Sequence, residues 1–277
     1  MITDNAMQLK AKINNKANEL KIPSQIILQN YLMECFLERL SKSEYANHFI
    51  IKGGILIASF VGLNHRTTMD IDVTVKNIPL KENEITKIIS YVCSVSNEDD
   101  FTFHLDRVEP IRDDDEYQGY RAFVIAEYEQ LHNTITIDIT TGDSIYPEAI
   151  KHGFSKVFEN EQISLFSYPI ENVIAEKLET ILSRNVTTTR PRDFYDVYVL
   201  SSKNINNQNI KKALENTCKH RQSEKVFTQI PEIITAIKES DNLKDQWQKY
   251  VKKMLYASEI TFEQTLDRIE KILEELK

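Results

Sequence analysis

Cysteine is scarce in this chain of 277 residues. The three present, Cys35, Cys93 and Cys218, are odd in number and far apart, and none sits in a C-x-x-C or Cys/His spacing. That excludes a disulfide framework and a zinc site as organising devices and predicts a reducing compartment, the cytoplasm. Glycine and proline are also few, six and seven, and no low-complexity stretch or internal repeat is visible. No apolar run approaches the ~20 residues of a membrane helix. The start, Met1-Ile2-Thr3-Asp4-Asn5, lacks the basic and apolar segments of a signal peptide. Positive charge is in deficit, with 34 Lys and Arg against 42 Asp and Glu and a net charge of −8. This argues against non-specific coating of nucleic acid and leaves room for a local basic surface.

What is present is an ordinary globular balance, 41% hydrophobic and 27% charged residues, in a chain long enough for one large or two small domains. A polar helix is expected over 8–20 and a stronger one from Pro23-Ser24, with Ile27, Tyr31, Cys35 and Leu28, Leu32, Phe36, Leu40 at i, i+4. Phe49-Ile50-Ile51 reads as a short strand, Ile55 to Val61 as a buried helix, and Gly62 to Thr68 as a loop. Lys81 to Val95 is amphipathic. Phe101 to Val108, Gly119 to Glu129 and Asn133 to Thr140 read as strands, with Arg112 to Glu116 an acidic loop between the first two. After Tyr168-Pro169 the pattern is helical: Ile170 to Leu182, Asp193 to Leu200, and a last helix opened by a Thr261/Gln264 capping box. The stripe Phe262, Leu266, Ile269, Leu273 of that last helix is core packing or a partner dock rather than a coiled coil. The expected domains are residues 1–158, mixed α and β, and 159–277, helical.

Four pieces carry chemistry. Asp70-Ile71-Asp72 opens an alternating strand, so both carboxylates leave one face. Two unit charges ~4 Å apart repel by roughly 4 kcal/mol at an effective dielectric near 20. Either one Asp faces solvent at a strand end, or a cation such as Mg²⁺ neutralises the pair. Gly53-Gly54, between a strand and a helix, lets backbone N–H groups approach a phosphate, or is simply a tight turn. Asp138 stands on the polar face of Thr134-Ile135-Thr136-Ile137-Asp138-Ile139-Thr140. It is solvent-exposed unless that strand lies beside the Asp70 strand, when three carboxylates converge as two Mg²⁺ ions and a nucleoside triphosphate require. Lys177 flanks the apolar stripe Ile170, Ile174, Leu178, Ile181 and is either an exposed lysine or a point charge for phosphate oxygens. Arg192-Asp193 and Asp196 follow, readable also as an ion-pair network between two helices. Arg184, Arg190, Arg192, Lys211, Lys212, Lys219, Arg221 and Lys225 form a basic set in sequence. It can position nucleic-acid phosphates, or it is a mixed-charge surface, since Glu215 and Glu224 intervene.

In this order the residues resemble the AbiEii/AbiGii toxin family, nucleotidyltransferase-like toxins of type IV toxin–antitoxin and abortive-infection systems. The resemblance runs from about residue 10 to 275. It implies an α+β fold, a DNA polymerase β-like nucleotidyltransferase domain with a helical C-terminal domain. It implies Mg²⁺- or Mn²⁺-dependent transfer of a nucleoside monophosphate from an NTP, with the 3′ end of tRNA as acceptor, which would stop translation and growth. Asp70, Asp72 and Asp138 would be metal ligands and Lys177 the triphosphate lysine. Asp193 and Asp196 would be the acids of the last motif, and Gly53, Gly54, Arg66, Thr68 and Lys177 would bind nucleotide. The implied partner is a protein antitoxin, which need not bind the toxin directly. Transfer to a small molecule, as in antibiotic-modifying enzymes, and NTP binding without turnover are the alternatives. Two features depart from the wider superfamily. Gly54 stands where a serine is usual, and the fifteen residues between Gly54 and Asp70 exceed the usual spacing.

Overall fold

Alternation decides the sheet. In Leu131–Thr141 (β5) Ile135, Ile137 and Ile139 are fully buried, while Thr136, Asp138 and Thr140 between them are partly exposed. Asp70–Val75 (β2) repeats the pattern with Ile71 and Val73 buried. Each such side chain contributes roughly 1.5–3 kcal/mol by leaving water, enough to set which face turns inward. The computed structural model describes residues 1–111 and 119–276. The expected acidic loop at Arg112 to Glu116 lies outside the described residues.

Two helices, Ala6–Leu20 (α1) and Ser24–Lys42 (α2), precede Phe49–Lys52 (β1), Gly53–Val61 (α3) and β2. Glu82–Ser94 (α4), Thr102–Pro110 (β3) and Tyr120–Tyr128 (β4) lead to β5, and Ile150–Ser155 (β6) and Gln162–Ser167 (β7) complete a seven-stranded mixed sheet. Its order is β3-β4-β5-β2-β1-β7-β6, with β2/β5 and β1/β7 parallel and the other neighbours antiparallel. α2 packs on β5 and β7, and α4 on β3 and β4. The apolar face of the sheet is thereby covered.

The chain divides into two compact units, residues 1–142 with 150–167, and 143–149 with 168–277. β7 lies beyond the boundary expected at 158, yet it pairs with Ile50 and Ile51 of β1 and belongs to the first unit. Residues 143–149 join the second unit through hydrogen bonds from Asn172 Nδ2 to the Ser144 carbonyl (3.0 Å), from the Tyr146 N–H to Asn172 Oδ1 (2.8 Å) and from the Tyr168 hydroxyl to Asp143 (2.7 Å). The second unit contains Ile170–Arg184 (α5), Pro191–Leu200 (α6), Asn207–His220 (α7), Ile230–Glu239 (α8), Asp241–Lys253 (α9) and Phe262–Glu275 (α10). The α10 capping box forms as its spacing predicts. The stripe Phe262, Leu266, Ile269, Leu273 is buried, with α10 packed on α6 and α8 and Phe262 against Phe194 and Trp247. It is core.

Candidate active site

β2 and β5 are parallel neighbours in a register that sets Asp72 beside Asp138 and Asp70 beside Thr136. Strands so paired are about 4.8 Å apart, and register partners share a face. All three carboxylates therefore leave the sheet on the side opposite the isoleucines. Asp70 Oδ1 accepts the Thr68 hydroxyl at 2.7 Å, and Asp72 Oδ2 accepts the Gly54 N–H at 3.3 Å. Burial and the Asp70 and Asp138 carboxylates raise the Asp72 carboxyl above its usual range, against the opposing pull of Lys52 and the Gly54 N–H. Charge repulsion of this kind is what a bound cation relieves.

The glycine turn is a packing device as well as a source of donors. Gly53 has φ +65°, a left-handed conformation that favours glycine. A Cβ on Gly53 would stand 1.8 Å from Asp72 Oδ2, and one on Gly54 would stand 2.4 Å from the Thr68 hydroxyl oxygen. Lacking both, the chain brings the positive end of α3 against the carboxylates. Arg66 is buried near the Gly54 position, its guanidinium donating to the Thr67 carbonyl. Thr68 is buried too. Gly53, Gly54, Arg66 and Thr68 thus gather around Asp70 and Asp72.

Sequence reasoning missed two residues of this face. Lys52, Asp72, Asp138 and Arg121 are successive register partners across β1, β2, β5 and β4, so two carboxylates are flanked by two cations. Lys52 Nζ donates to the Thr140 hydroxyl at 2.8 Å. Arg121 holds Asp138 with both arms of its fork, Nε to Oδ1 and Nη2 to Oδ2, each at 2.6 Å. A signal for Arg121 existed. A two-residue turn at 129–130 sets Tyr128 opposite Leu131, and counting back along both strands reaches Arg121 opposite Asp138. Glu129-Gln130 is not among the residue pairs that advertise such turns.

The carboxylates suit a hard divalent cation, which takes oxygen ligands. Asp70 and Asp72 fit as they stand. Both oxygens of Asp138 are engaged by Arg121, and among the described residues no group of three acidic, histidine or cysteine side chains is placed to hold a metal ion.

The other expected residues lie in the second unit, where α5 and α6 bring them together. Lys177 Nζ is 2.6 Å from Asp193 Oδ1 and 3.4 Å from Asp196 Oδ2. Both carboxylates are fully buried, and Arg190 Nε lies 3.3 Å from Asp193 Oδ2 in an ion-pair contact without a hydrogen bond. Of the basic set, Arg190, Lys212 and Arg221 stand in ion pairs, Lys212 with Glu215 and Arg221 with Glu176 and Glu179. Arg192, Lys219 and Lys225 are exposed.

A family model described as nucleotidyl transferase AbiEii toxin, Type IV TA system, matches residues 35–268. No curated protein sequence matches. Among solved structures, a putative nucleotidyltransferase from H. pylori is 16% identical, with 92% of this chain and 96% of that chain covered and a TM-score of 0.52. JHP933 from Helicobacter pylori is 16% identical, with 92% of each chain covered and a TM-score of 0.51. At that identity the likeness is one of fold.

Proposed function

This chain belongs to the AbiEii nucleotidyl transferase toxin family of the Type IV toxin–antitoxin system, and we propose that its reaction takes place on the Asp70, Asp72, Asp138 face. The observation that carries this reading is the register that sets Asp72 beside Asp138 with Asp70 two residues away on the same face. The transfer joins an acceptor hydroxyl to the α-phosphorus of an NTP and releases pyrophosphate. Asp70, Asp72 and Asp138 would hold Mg²⁺ or Mn²⁺, whose chemistry is to neutralise phosphate charge and make a hydroxyl more acidic.

The chain's own donors do the rest. The N–H groups at the start of α3 favour a phosphate anion, with Gly53 and Gly54 allowing its approach and Arg66 and Thr68 fixing the turn. Lys52 and Arg121 flank the carboxylates as further phosphate cations. For the second unit, Lys177 supplies a compact ammonium for triphosphate oxygens, and Asp193 and Asp196 orient it.

The favoured acceptor is the 3′ end of tRNA, because a nucleotide added there blocks aminoacylation and so translation and growth. The exposed Arg192, Lys219 and Lys225 support phosphate contact without base reading. A protein antitoxin is the partner that the family implies. Arg121's hold on Asp138 favours one second reading, NTP binding without turnover. Incubation of the protein with labelled NTPs, Mg²⁺ and either total RNA or aminoglycosides separates the readings. Label in tRNA, lost in Asp70→Ala, is the expected result. Label only in the aminoglycoside moves the acceptor to a small molecule. Bound NTP with no pyrophosphate released from any acceptor overturns the catalytic reading.

A further inference from the structure

The first unit contains a cavity of about 330 Å³ that shares no residue with the carboxylate face. One wall is apolar, with Leu37 of α2, Ile55 and Ala58 of α3, Phe154 of β6 and Ile163 of β7. Seven polar side chains also line it, Lys16 and Lys156 among them, and two of the seven, Asn30 and Glu34, stand one turn apart on α2 and therefore on one helix face. Asn30 is 5% exposed and Glu34 9%.

Both present an acceptor oxygen that the protein does not use. The Asn30 amide donates to the carbonyls of Ile26 (2.8 Å) and Thr68 (3.3 Å), and its oxygen accepts nothing among the described residues. Glu34 accepts the Val157 N–H at 2.5 Å on Oε2, and Oε1 accepts nothing there. Neither oxygen is among the unpartnered atoms sealed from solvent, and both side chains line the cavity. The two lysines that line the cavity are engaged by other carboxylates. Lys156 is held at 2.9–3.1 Å by Glu38, Glu159 and Glu161, and Lys16 pairs with Glu19 at 2.9 Å. Burial, with the Glu159 and Glu38 charges, pushes the Glu34 carboxyl up to about 7 against the Val157 N–H and Lys156. A buried carboxylate without a cation is costly, and a cation entering the cavity would remove the cost.

We propose that this cavity binds a small primary amine on an apolar stem, with its ammonium between Asn30 Oδ1 and Glu34 Oε1 and its stem against Leu37, Ile55 and Phe154. An ammonium carries three donors and no acceptor, which matches two acceptors and leaves one donor for water. The cavity holds the volume of about eleven waters at roughly 30 Å³ each, ample for a six-carbon alkyl chain. The site does not depend on the transferase reading.

The test is isothermal titration of the full chain at pH 8 with n-hexylamine, 1-hexanol and hexanoate, three probes of one stem and different heads. Hexylamine is expected to bind saturably, at least about tenfold more tightly than hexanol, with hexanoate not binding. Glu34→Gln should weaken hexylamine by about tenfold and leave hexanol unchanged. Ala58→Phe, which fills the cavity, should abolish both. Circular dichroism confirms that each variant is folded, and if Glu34→Gln is not, the head-group series and Ala58→Phe decide alone. Equal affinity for hexylamine and hexanol, unchanged hexylamine affinity in a folded Glu34→Gln, or no saturable binding to the natural chain by about 10 mM overturns the proposal.

Discussion

The two acidic clusters of this protein are built on opposite principles. On the first unit's sheet, Asp70, Asp72 and Asp138 stand on one face, Arg121 grips Asp138, and burial with the two neighbouring carboxylates raises the Asp72 carboxyl. In the second unit, Asp193 and Asp196 are more deeply buried, yet each lies within 3.4 Å of Lys177 and Arg190 adds a second cation. The first cluster keeps a carboxyl whose charge a cation would relieve, whereas in the second the acids are matched by Lys177 and Arg190, which ties α5 to α6 and holds in place the ammonium assigned to the triphosphate. Burial alone therefore does not identify reactive acids. The sign of the unbalanced charge does.

The contrast breaks if the two clusters respond alike to loss of a carboxylate. Asp72→Asn should lower nucleotide transfer by about 10⁴-fold or more, equivalent to roughly 5 kcal/mol, while leaving urea stability unchanged or higher, because repulsion is removed. Asp196→Asn should do the reverse to stability. Removing one partner of a buried pair costs about 3–5 kcal/mol, read as a lower urea midpoint. A stability loss in Asp72→Asn equal to that in Asp196→Asn would end the distinction.

Glu34 extends the comparison to an unbalanced acid away from the catalytic face. Its folded pKa, about 7, lies above the ordinary 4.5, so its contribution to stability is fully present below pH 4.5 and is lost as pH rises through 7. Glu34→Gln should match the natural chain near pH 4 and exceed it by up to about 3 kcal/mol at pH 8, measured by urea denaturation across pH. A constant difference at every pH would show the acid is not buried as charge.

The smallest effect concerns Arg121. Arg121→Gln frees both oxygens of Asp138 and should tighten Mn²⁺ binding by about tenfold, roughly 1.4 kcal/mol, read by electron paramagnetic resonance without turnover. Arg121→Lys keeps the charge but not the two-armed hold. If Lys binds Mn²⁺ as the natural chain does and only Gln binds tighter, the field of the charge acts, not its place on Asp138.

Much of this was legible in residue order, because it depends on neighbours a few positions away. The alternation of β2 and β5, the amphipathic helices α2 and α4 and the α10 capping box all follow from local periodicity. β6 and β7 leave a fainter mark in the residue order. Each has six residues, and β6 lies at the sheet edge with Ile150 exposed, so its pattern is weak. Ile163 and Leu165 in β7 alternate well enough to have been seen. Within the candidate site the acids and glycines were visible as residue types, while Lys52 and Arg121 were not. A lone cation in a strand carries no mark of the strand that will lie beside it.

By itself the order of residues determined that Asp70 and Asp72 share a face and that Asp138 opposes its isoleucine neighbours, since the pleat of a strand makes that a local property. The 129–130 turn that sets Arg121 opposite Asp138 is also local, but Glu129-Gln130 does not announce it, so this pairing waited for the structure. Only the tertiary structure decided that β2 lies parallel to β5 and brings Asp72 to Asp138, that Lys177 closes on Asp193 and Asp196, and that Asn30 and Glu34 line a cavity. Those contacts join residues far apart in the chain. They form because burying the isoleucine face and pairing buried charges outweigh the entropy of closing long loops, a balance that no local pattern records.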